Sequence, residues 1–457
     1  MGENDGKLQA DALGLTEAAV MGVAGTAPAF SLAATTATLT AAVGLLSVGS
    51  LVYCGVVMFG VALAFMHLNK VITNAGASYA WVGNCFGPTF GFFAGWAVLV
   101  ASAVFMVSAT VPAATATLML VAPGYADHPP TVALVAAGWL LAVSAVIVKG
   151  IKPTSYTQVV MTVIDVGVLV VLIVAAFVHY ASQPAQPLAW AFLSPLEFTP
   201  GTFATGALTS LFFFWGWDVT LNLNEETRDG ARSSGRGAII AMVVVLLLFA
   251  GFVAACQLVL TEEQIEQSGT NVVFALAEHL FPRPWSYCAV IAVMMSTVGT
   301  LETSILQFTR TMFAKGRDGA LHPRFALLHS TWKTPWLATA TITVIGLALL
   351  FGASGFPTIN ELMQDSVRAI SFQVACYYGL TGIACAWRFR STAWNSLADA
   401  LLLFVWPLAS ALFLIFIAAY AVPTFDAVTN LVGIGGLLIG GVPLLLNRRR
   451  RTRVLAG

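Results

Sequence analysis

Met21-Gly-Val-Ala-Gly-Thr-Ala-Pro-Ala-Phe-Ser31 interrupts the first apolar stretch of this sequence, which runs from about Ala18 to Ala42. Glycine and proline weaken the hydrogen-bond ladder of a helix. Inside a bilayer, each peptide group that loses its partner costs several kcal/mol. The segment therefore predicts a membrane helix that is broken near its centre, with a polar group filling the gap.

A second interruption, Phe214-Trp-Gly-Trp-Asp218, lies in the sixth apolar stretch. Interrupted hydrophobic segments at matching positions of two halves indicate the binding site of a transporter. A half-helix N-terminus offers N–H donors to a carboxylate, and freed carbonyls can receive an ammonium group or a metal cation. Taken alone, Gly25 and Pro28 are equally consistent with close helix packing, since both residue types are common in membrane helices. The matched second break favours a site.

The composition supports this interpretation. The 457 residues are 58% hydrophobic and 9% charged, whereas an average soluble domain is roughly a quarter charged. About twelve apolar stretches of the length that a bilayer requires lie between residues 15 and 446. The sequence predicts an all-α membrane protein of about twelve transmembrane helices.

Basic residues occur in alternate connections between these stretches, and such residues stay on the cytoplasmic side. The intervening connections are mostly acidic, with Asp127 and Glu361 among their residues. Lys7 and the run Arg448 to Arg451 place both tails on the basic side. The expected location is a cell membrane, with several passes and both termini in the cytoplasm. The basic connections contain Lys70, Lys149, Lys152, Arg228, Arg232, Arg236, Lys315, Arg317, Arg324, Lys333, Arg388 and Arg390.

Three motifs in order then resemble the amino acid, polyamine and organocation (APC) superfamily of permeases, whose members have the LeuT fold. They are Asn74-Ala-Gly-Ala-Ser-Tyr-Ala-Trp-Val82 with Phe86-Gly-Pro88 and Gly95-Trp96, then Phe214-Trp-Gly-Trp-Asp218 with Asn222 and Glu225-Glu-Thr-Arg-Asp229, then Arg310 with Ala314-Lys-Gly-Arg-Asp-Gly-Ala-Leu-His-Pro323 and Thr334-Pro335.

The resemblance implies two inverted five-helix repeats, at about 15–180 and 200–390, with the first and sixth helices broken, and two peripheral helices at about 396–446. A cytoplasmic tail, 1–14, precedes this single domain of 15–446, and a basic tail, 447–457, follows it.

The resemblance also implies roles for residues of the two breaks. Backbone N–H groups of Gly25, Thr26 and Ala27 would bind a substrate carboxylate. Carbonyls near Val23 and Phe213 would meet the amino group. Family members usually have glycine where Ala27 stands, so the flexibility of that position is in question. Trp215, Gly216 and Trp217 would line or cap the pocket, although these tryptophans could equally serve packing.

Intramembrane acids are candidates for function, because an ionised carboxylate at a helix centre costs roughly 2.5 to 3.5 kcal/mol. Asp218 is assigned to substrate binding, with helix capping as its alternative. Asp165 stands at a position where many relatives have lysine, and it departs from that pattern because an acid cannot replace a cation. We expect it to couple transport to an ion, either as a protonatable group or as part of a cation site. For Glu225 and Glu226 a solvated gate or loop contact is expected. The role of Glu302 stays open.

The predicted function is secondary transport of an amino acid, most simply a neutral one, through proton or sodium symport or through exchange. A polyamine or other cationic amine is the alternative substrate. A membrane enzyme is disfavoured, because the sequence has no His-Glu-x-x-His or Gly-x-Ser-x-Gly motif, and the lack of a phosphate loop disfavours an ATP-driven pump. We expect no cofactor or structural metal beyond the coupling proton or sodium ion, and the lipid bilayer rather than nucleic acid as partner. The oligomeric state stays open.

Overall fold

The computed structural model describes the backbone of residues 6–126, 128–187, 189–353 and 359–446, and their side chains outside 353–364. Asp127, the Glu361 side chain and the tail with Arg448 to Arg451 lie outside these described residues. The regular elements of the described chain are helices, and its β-structure is limited to an isolated bridge between Leu13 and Thr227.

The first half of the chain contains nine helices. They are α1 (Leu15–Gly25), α2 (Pro28–Val43), α3 (Ser47–Val71), α4 (Ser78–Phe86), α5 (Pro88–Val121), α6 (Pro129–Val148), α7 (Ile151–Tyr180), α8 (Pro200–Phe213) and α9 (Val219–Asn222).

The second half adds eight helical segments. They are α10 (Gly230–Val259), α11 (Glu262–Ser268), α12 (Val272–Leu280), α13 (Cys288–Arg317), α14 (Trp336–Ala353), α15 (Ile359–Phe389), α16 (Leu397–Thr424) and α17 (Ala427–Leu446).

Nine helical stretches of the described residues are long and apolar enough to cross a bilayer. One of them, Leu15–Val71, comprises α1, α2 and α3. The prediction of an all-α protein that passes through the membrane several times is thus confirmed. The predicted total of twelve passes requires that α1 with α2 and α8 with α9 each form one pass and that α14 is counted, and it stays a prediction, as do the domain boundaries.

Burial distinguishes a central helix from peripheral ones. The most apolar window of α13 is 78% buried, whereas the corresponding windows of α7 and α17 are 28% and 17% buried. The exposed surface of α7 is apolar and includes Val160, Val163, Val171 and Val178. Hydrocarbon chains of lipid can cover such a surface without loss of hydrogen bonds. α13 is therefore at the centre of the bundle, and one side of α7 faces outward.

Both predicted interruptions occur in the structure. α1 ends at Gly25 and α2 begins at Pro28, and between them Ala27 has a left-handed backbone with φ of 47°. α8 ends at Phe213 and α9 begins at Val219. Gly216, with φ of 109°, lies between α8 and α9. Glycine adopts such angles readily, so the sequence at Gly216 specifies the second turn, whereas Ala27 adopts a left-handed backbone in spite of its side chain.

Several basic loops meet on one side of the bundle. The Thr334 hydroxyl donates to the carbonyl of Val148 at 2.8 Å. Arg317 pairs with Glu225 at 2.9 Å. The loops after α6, α9 and α13 therefore lie together, and we call this side the basic face.

Candidate functional site

The two helix breaks touch each other through backbone atoms. A Cβ atom placed on Gly25 would collide with the carbonyl oxygen of Gly216, and one placed on Gly216 would collide with that of Gly25. Only glycine at both positions allows this approach. The polar backbone of one break is therefore adjacent to that of the other, inside the bundle.

The amides expected to hold a carboxylate are already hydrogen-bonded in this conformation. Thr26 N–H donates to the Val23 carbonyl at 3.1 Å and Ala27 N–H to the Ala24 carbonyl at 3.0 Å. The Thr26 hydroxyl also donates to the Val23 carbonyl, at 2.7 Å. The last turn of α1 thus uses groups that the sequence suggested were free, and a ligand would have to displace these bonds.

The orphan donors of the first break belong instead to α2. Its first residue, Pro28, has no N–H group, and the next two amides point at side chains from other helices. Ala29 N–H donates to Asp165 Oδ1 at 3.2 Å. Phe30 N–H donates to Ser296 Oγ at 3.3 Å. The start of α2 is thus capped by α7 and α13 rather than by its own sequence.

Asp165 is buried, with 1% of its surface exposed. Besides Ala29 N–H, its carboxylate has a hydrogen bond with the Ser296 side chain. The positive end of the α2 dipole also favours a negative charge at this position. Asp165 is therefore the acid that accepts a hydrogen bond from the first turn of α2, at the first break.

Asp218 lies in the second break and is held by three neutral donors. Gln307 Nε2 and Tyr377 Oη donate to Oδ2 at 2.7 and 3.0 Å. Tyr378 Oη donates to Oδ1 at 2.9 Å. Its side chain makes no capping bond to α9, so the capping alternative does not describe this structure. No basic side chain of the described residues forms an ion pair with Asp218.

Sequence reasoning missed these donors. The adjacent tyrosines in the apolar span Asp365–Phe389, and Gln307 in α13, are polar residues buried to at least 98%. A polar side chain in such a span predicts a buried hydrogen-bond partner, because burial without a partner is costly. Their partner could not be inferred, since Asp218 is 159 residues from Tyr377.

The tryptophans of the second break differ in their contacts. Trp215 Nε1 donates to Tyr377 Oη at 2.9 Å, which links this indole to the Asp218 cluster. Trp217 packs against the rings of Phe65 and Tyr378, and its Nε1 has no partner among the described residues. Both are at most 5% exposed. Phe213 ends α8 and packs against Phe249 at 5.2 Å.

A cavity of about 680 Å³ opens among α2, α8, α15, α16 and the loop between α11 and α12. It includes Leu211, which precedes Trp215 by four residues, and Ala375, which precedes Tyr377 by two. α8 leads from this cavity to the second break, and α9 continues towards the basic face. The cavity therefore approaches the breaks from the side opposite the basic face.

A buried ion pair lies towards the basic face. Arg310 Nε and Nη2 donate to the two carboxylate oxygens of Glu226, both at 2.8 Å. The Glu226 carbonyl accepts N–H groups of Ala12 and Leu13 from the N-terminal segment. The expectation of a solvated contact near Arg228 is wrong for Glu226, which is 1% exposed, because α13 supplies a guanidinium that matches the carboxylate. Glu225 pairs with Arg317 and stays partly exposed.

The comparison with known proteins agrees with this arrangement. Residues 13–442 match the model of the amino acid permease family. An uncharacterized transporter of Mycobacterium tuberculosis is 26% identical over 370 residues, 78% of each chain. The human b(0,+)-type amino acid transporter 1 is 24% identical over 72% of this chain and 65% of its own length. The branched-chain amino acid permease BcaP of Bacillus subtilis is 25% identical over 44% of this chain and 41% of its own.

The family match covers nearly the whole described chain, including both breaks and the residues packed around them. These relatives are named as transporters rather than enzymes, which decides against the multi-span enzyme. The chain is a multi-pass membrane protein with a small-molecule amino acid as its type of substrate, and it belongs to the amino acid permease family.

Proposed function

We propose that this chain is a proton-coupled symporter of a neutral amino acid, with alternating access to a site between the two breaks. The observation that carries the proposal is the hydrogen bond from Ala29 N–H to Asp165, 3.2 Å long, at the first turn of α2. It places a protonatable group at the position where a helix best binds the carboxylate of a substrate.

Competition at this position would couple the two ligands. An ionised Asp165 and a substrate carboxylate repel each other and need the same N–H donors of Ala29 and Phe30. Protonation of Asp165 would remove its charge and weaken its hold on α2. The substrate carboxylate could then take over these donors. A proton and a substrate thus bind together more favourably than either binds alone.

The second break would receive the amino group. The three donors to Asp218 are neutral, so the ionised carboxylate would carry a charge with which an ammonium group can pair. This carboxylate alone would neutralise the α-ammonium group of a neutral amino acid. The rings of Phe105, Trp215 and Trp217 and the small residues of α1 then leave apolar walls for a side chain. The Bacillus relative is named for branched-chain amino acids, whose side chains suit such walls.

A cationic amine is the alternative substrate. The negative charge at Asp218 that serves an α-ammonium would also attract a polyamine, and an ionised Asp165 would attract a second ammonium group. The alternative thus requires Asp165 to stay charged during transport. Acidic pH on the side of entry would then inhibit transport, whereas it stimulates the proposed symporter.

The orientation is also part of the proposal. The basic face would lie in the cytoplasm of the cell, because positive loops are retained there. The cavity of about 680 Å³ would then open to the outside, and the Arg310–Glu226 pair would close the inner side. Uptake would begin when substrate enters this cavity and end when that pair separates.

Reconstituted protein tests the proposal. We expect neutral amino acids to raise the melting temperature of the purified protein, more so at pH 5 than at pH 8 and equally with or without sodium. In proteoliposomes, an inwardly directed proton gradient should accelerate saturable uptake of leucine. Asp165→Asn imitates the protonated carboxyl group, and its uptake should no longer depend on pH.

Glu197→Gln is the matched control, since Glu197 is an exposed acid away from both breaks and this change should leave the pH dependence intact. Stabilisation by diamines alone would favour the amine carrier. A requirement for sodium, or uptake that needs only substrate on the opposite side, would replace proton symport by sodium symport or exchange. Unchanged pH dependence in Asp165→Asn would remove this residue from coupling.

A further inference from the structure

Glu302 is a buried acid that the proposed transport cycle has not yet used. It lies on α13, is 2% exposed, and makes no ion pair with a basic side chain within the described part of the chain. The buried basic side chains of α13 have close partners: Arg310 has Glu226, and Lys315 donates to the Phe92 carbonyl at 2.8 Å. Glu302 has only the hydroxyl of Thr157, 3.3 and 3.4 Å from its two oxygens.

The hydrogen bond to Thr157 is a weak one. The Thr157 hydroxyl donates to the two Glu302 oxygens at 3.4 and 3.3 Å, and it also lies 2.8 Å from the Thr154 carbonyl and 3.3 Å from the Pro153 carbonyl. A threonine hydroxyl has one proton to donate, so these acceptors share it. A buried carboxylate without a strong partner is costly, and this cost favours binding of a proton by Glu302.

The helices packed around Glu302 supply no basic side chain that pairs with it. α5, α6 and α14 pack against α13 and have no Asp, Glu, Lys, Arg, His, Cys or Tyr. The titratable groups of α1 and α7 near this end of the bundle are Glu17, bound to Gly14 N–H, and the exposed Lys152 and Tyr156. On α13, Arg310 is paired, and Lys315 and Arg317 follow Glu302 by more than three turns. Asp165 is the other buried acid of the α7–α13 interface.

A polar seam joins the two acids. On α7, Thr162 and Gln158 are one and two turns from Asp165 on the same face, and both are buried. Gln158 Nε2 donates to Thr162 at 3.4 Å, and Gln158 Oε1 has no partner among the described residues. The Gln158 amide lies against Gly299, which is one turn from Glu302 on α13.

The seam leads from the breaks towards the basic face. Thr157 is eight residues before Asp165, which corresponds to about 12 Å along α7. It is exposed, and it follows the first residue of α7, Ile151, by less than two turns. This length is roughly four hydrogen bonds, so hydroxyl groups with a few waters at the free Gln158 oxygen could bridge it.

We propose that Glu302 is the residue that accepts the coupling proton from Asp165 and delivers it to the basic face. This inference rests on the proposed proton symport. The step is a proton transfer alone: the O–H bond of protonated Asp165 breaks, Glu302 gains the proton, and Asp165 returns to its bond with Ala29 N–H. Glu302 then loses the proton past Thr157 to water at the basic face.

Infrared spectroscopy and transport of the full-length protein test this inference together. At neutral pH the wild type should show an absorption band of a protonated carboxyl group that Glu302→Gln lacks. Uptake driven by a proton gradient should fall about tenfold or more in Glu302→Gln. Exchange of labelled for unlabelled leucine, which needs no net proton release, should stay within about twofold of the wild type.

Glu263→Gln, an exposed change on α11, is the control and should preserve both the band and the uptake. Glu302→Asp keeps an acid in the seam and should retain more gradient-driven uptake than Glu302→Gln, which separates proton transfer from damage to the fold.

A band that persists in Glu302→Gln, or gradient-driven uptake equal to that of the wild type, would overturn the relay while leaving proton symport intact. A wild type that ignores the proton gradient would overturn symport and relay alike. Loss of the band on addition of sodium would show that Glu302 binds a cation instead.

Discussion

Gly25 and Gly216 meet so closely that a Cβ atom on either residue would overlap the carbonyl group of the other. Gly216 in addition has φ of 109°, which disfavours any side chain. The proposed site depends on this approach, because it brings the polar groups of both breaks to one place in the bundle.

Alanine at either glycine should therefore separate the breaks. We expect Gly25→Ala and Gly216→Ala to reduce leucine uptake about tenfold or more and to lower the melting temperature, since overpacking costs about 1–3 kcal/mol. Gly216→Ala should be the more damaging change because it adds backbone strain. The measurement is uptake per protein molecule in proteoliposomes.

Gly138→Ala and Gly167→Ala are matched controls. These glycines lie within α6 and α7 with nothing within 4 Å of an added Cβ atom. Alanine in a helix interior stabilises by roughly 0.5–1 kcal/mol relative to glycine. Both controls should transport normally. If Gly25→Ala and Gly216→Ala behaved like these controls, close contact of the breaks would be unnecessary for transport.

At Ala27, by contrast, a change to glycine should keep or raise the stability. Its left-handed backbone, with φ of 47° and ψ of 67°, costs an L-residue roughly 1–2 kcal/mol. Ala27→Gly removes this strain but adds entropy to the unfolded chain, which offsets about 0.4–1 kcal/mol. We expect a melting temperature equal to or slightly above that of the wild type, with uptake retained. A clear loss of stability in thermal unfolding would show that Ala27 is not strained.

The two tyrosines bound to Asp218 should differ in importance. Tyr378→Phe removes one donor to the carboxylate, whereas Tyr377→Phe also removes the acceptor of Trp215 Nε1. Each buried group left unsatisfied costs about 1–3 kcal/mol. We expect KM for leucine to rise in both variants, and more in Tyr377→Phe. Tyr180→Phe, which alters an exposed 3.4 Å contact, is the control. Equal KM values for all three would exclude the Asp218 cluster from substrate binding.

The Arg310–Glu226 pair should dominate the closure of the basic face. Breaking a buried pair by removing one partner costs about 3–5 kcal/mol, whereas partly exposed pairs such as Arg317–Glu225 are worth about 0–1 kcal/mol. Glu226→Gln should therefore lower stability strongly and make cysteines introduced at the basic face more reactive to a water-soluble reagent. Glu225→Gln should change both little. Similar labelling of the two variants would contradict a gate at Glu226.

The sequence predicts those parts of this fold that depend on local chemistry. Hydropathy predicts the membrane helices, and Gly25, Pro28 and Gly216 predict the breaks, because these residues change the backbone where they stand. The matching positions of the two breaks predicted a shared site, and the resemblance implied the same arrangement. The family match confirms the resemblance, and the apolar helices confirm the predicted all-α membrane fold.

Partners that are distant in the sequence could not be predicted. Asp165 caps a helix 136 residues before it, and Arg310 pairs with an acid 84 residues away. Such pairs depend on which helix faces are adjacent, and hydrophobic periodicity is weak in helices that are apolar on every side. The amides of Thr26 and Ala27 were predicted to be free for a different reason. The sequence did not show how far the last turn of α1 extends, and these amides donate to carbonyls three residues earlier.

A cryo-electron microscopy map of the protein in lipid nanodiscs with saturating leucine at pH 5 tests the shared site most directly. The amino acid should lie between the break at Gly25 to Pro28 and the break at Phe214 to Asp218. Its carboxylate should point at the N–H groups of Ala29 and Phe30, and Asp165 should be displaced from them. Leucine bound only in the outer cavity, or two intact helices in place of the breaks, would contradict this mechanism.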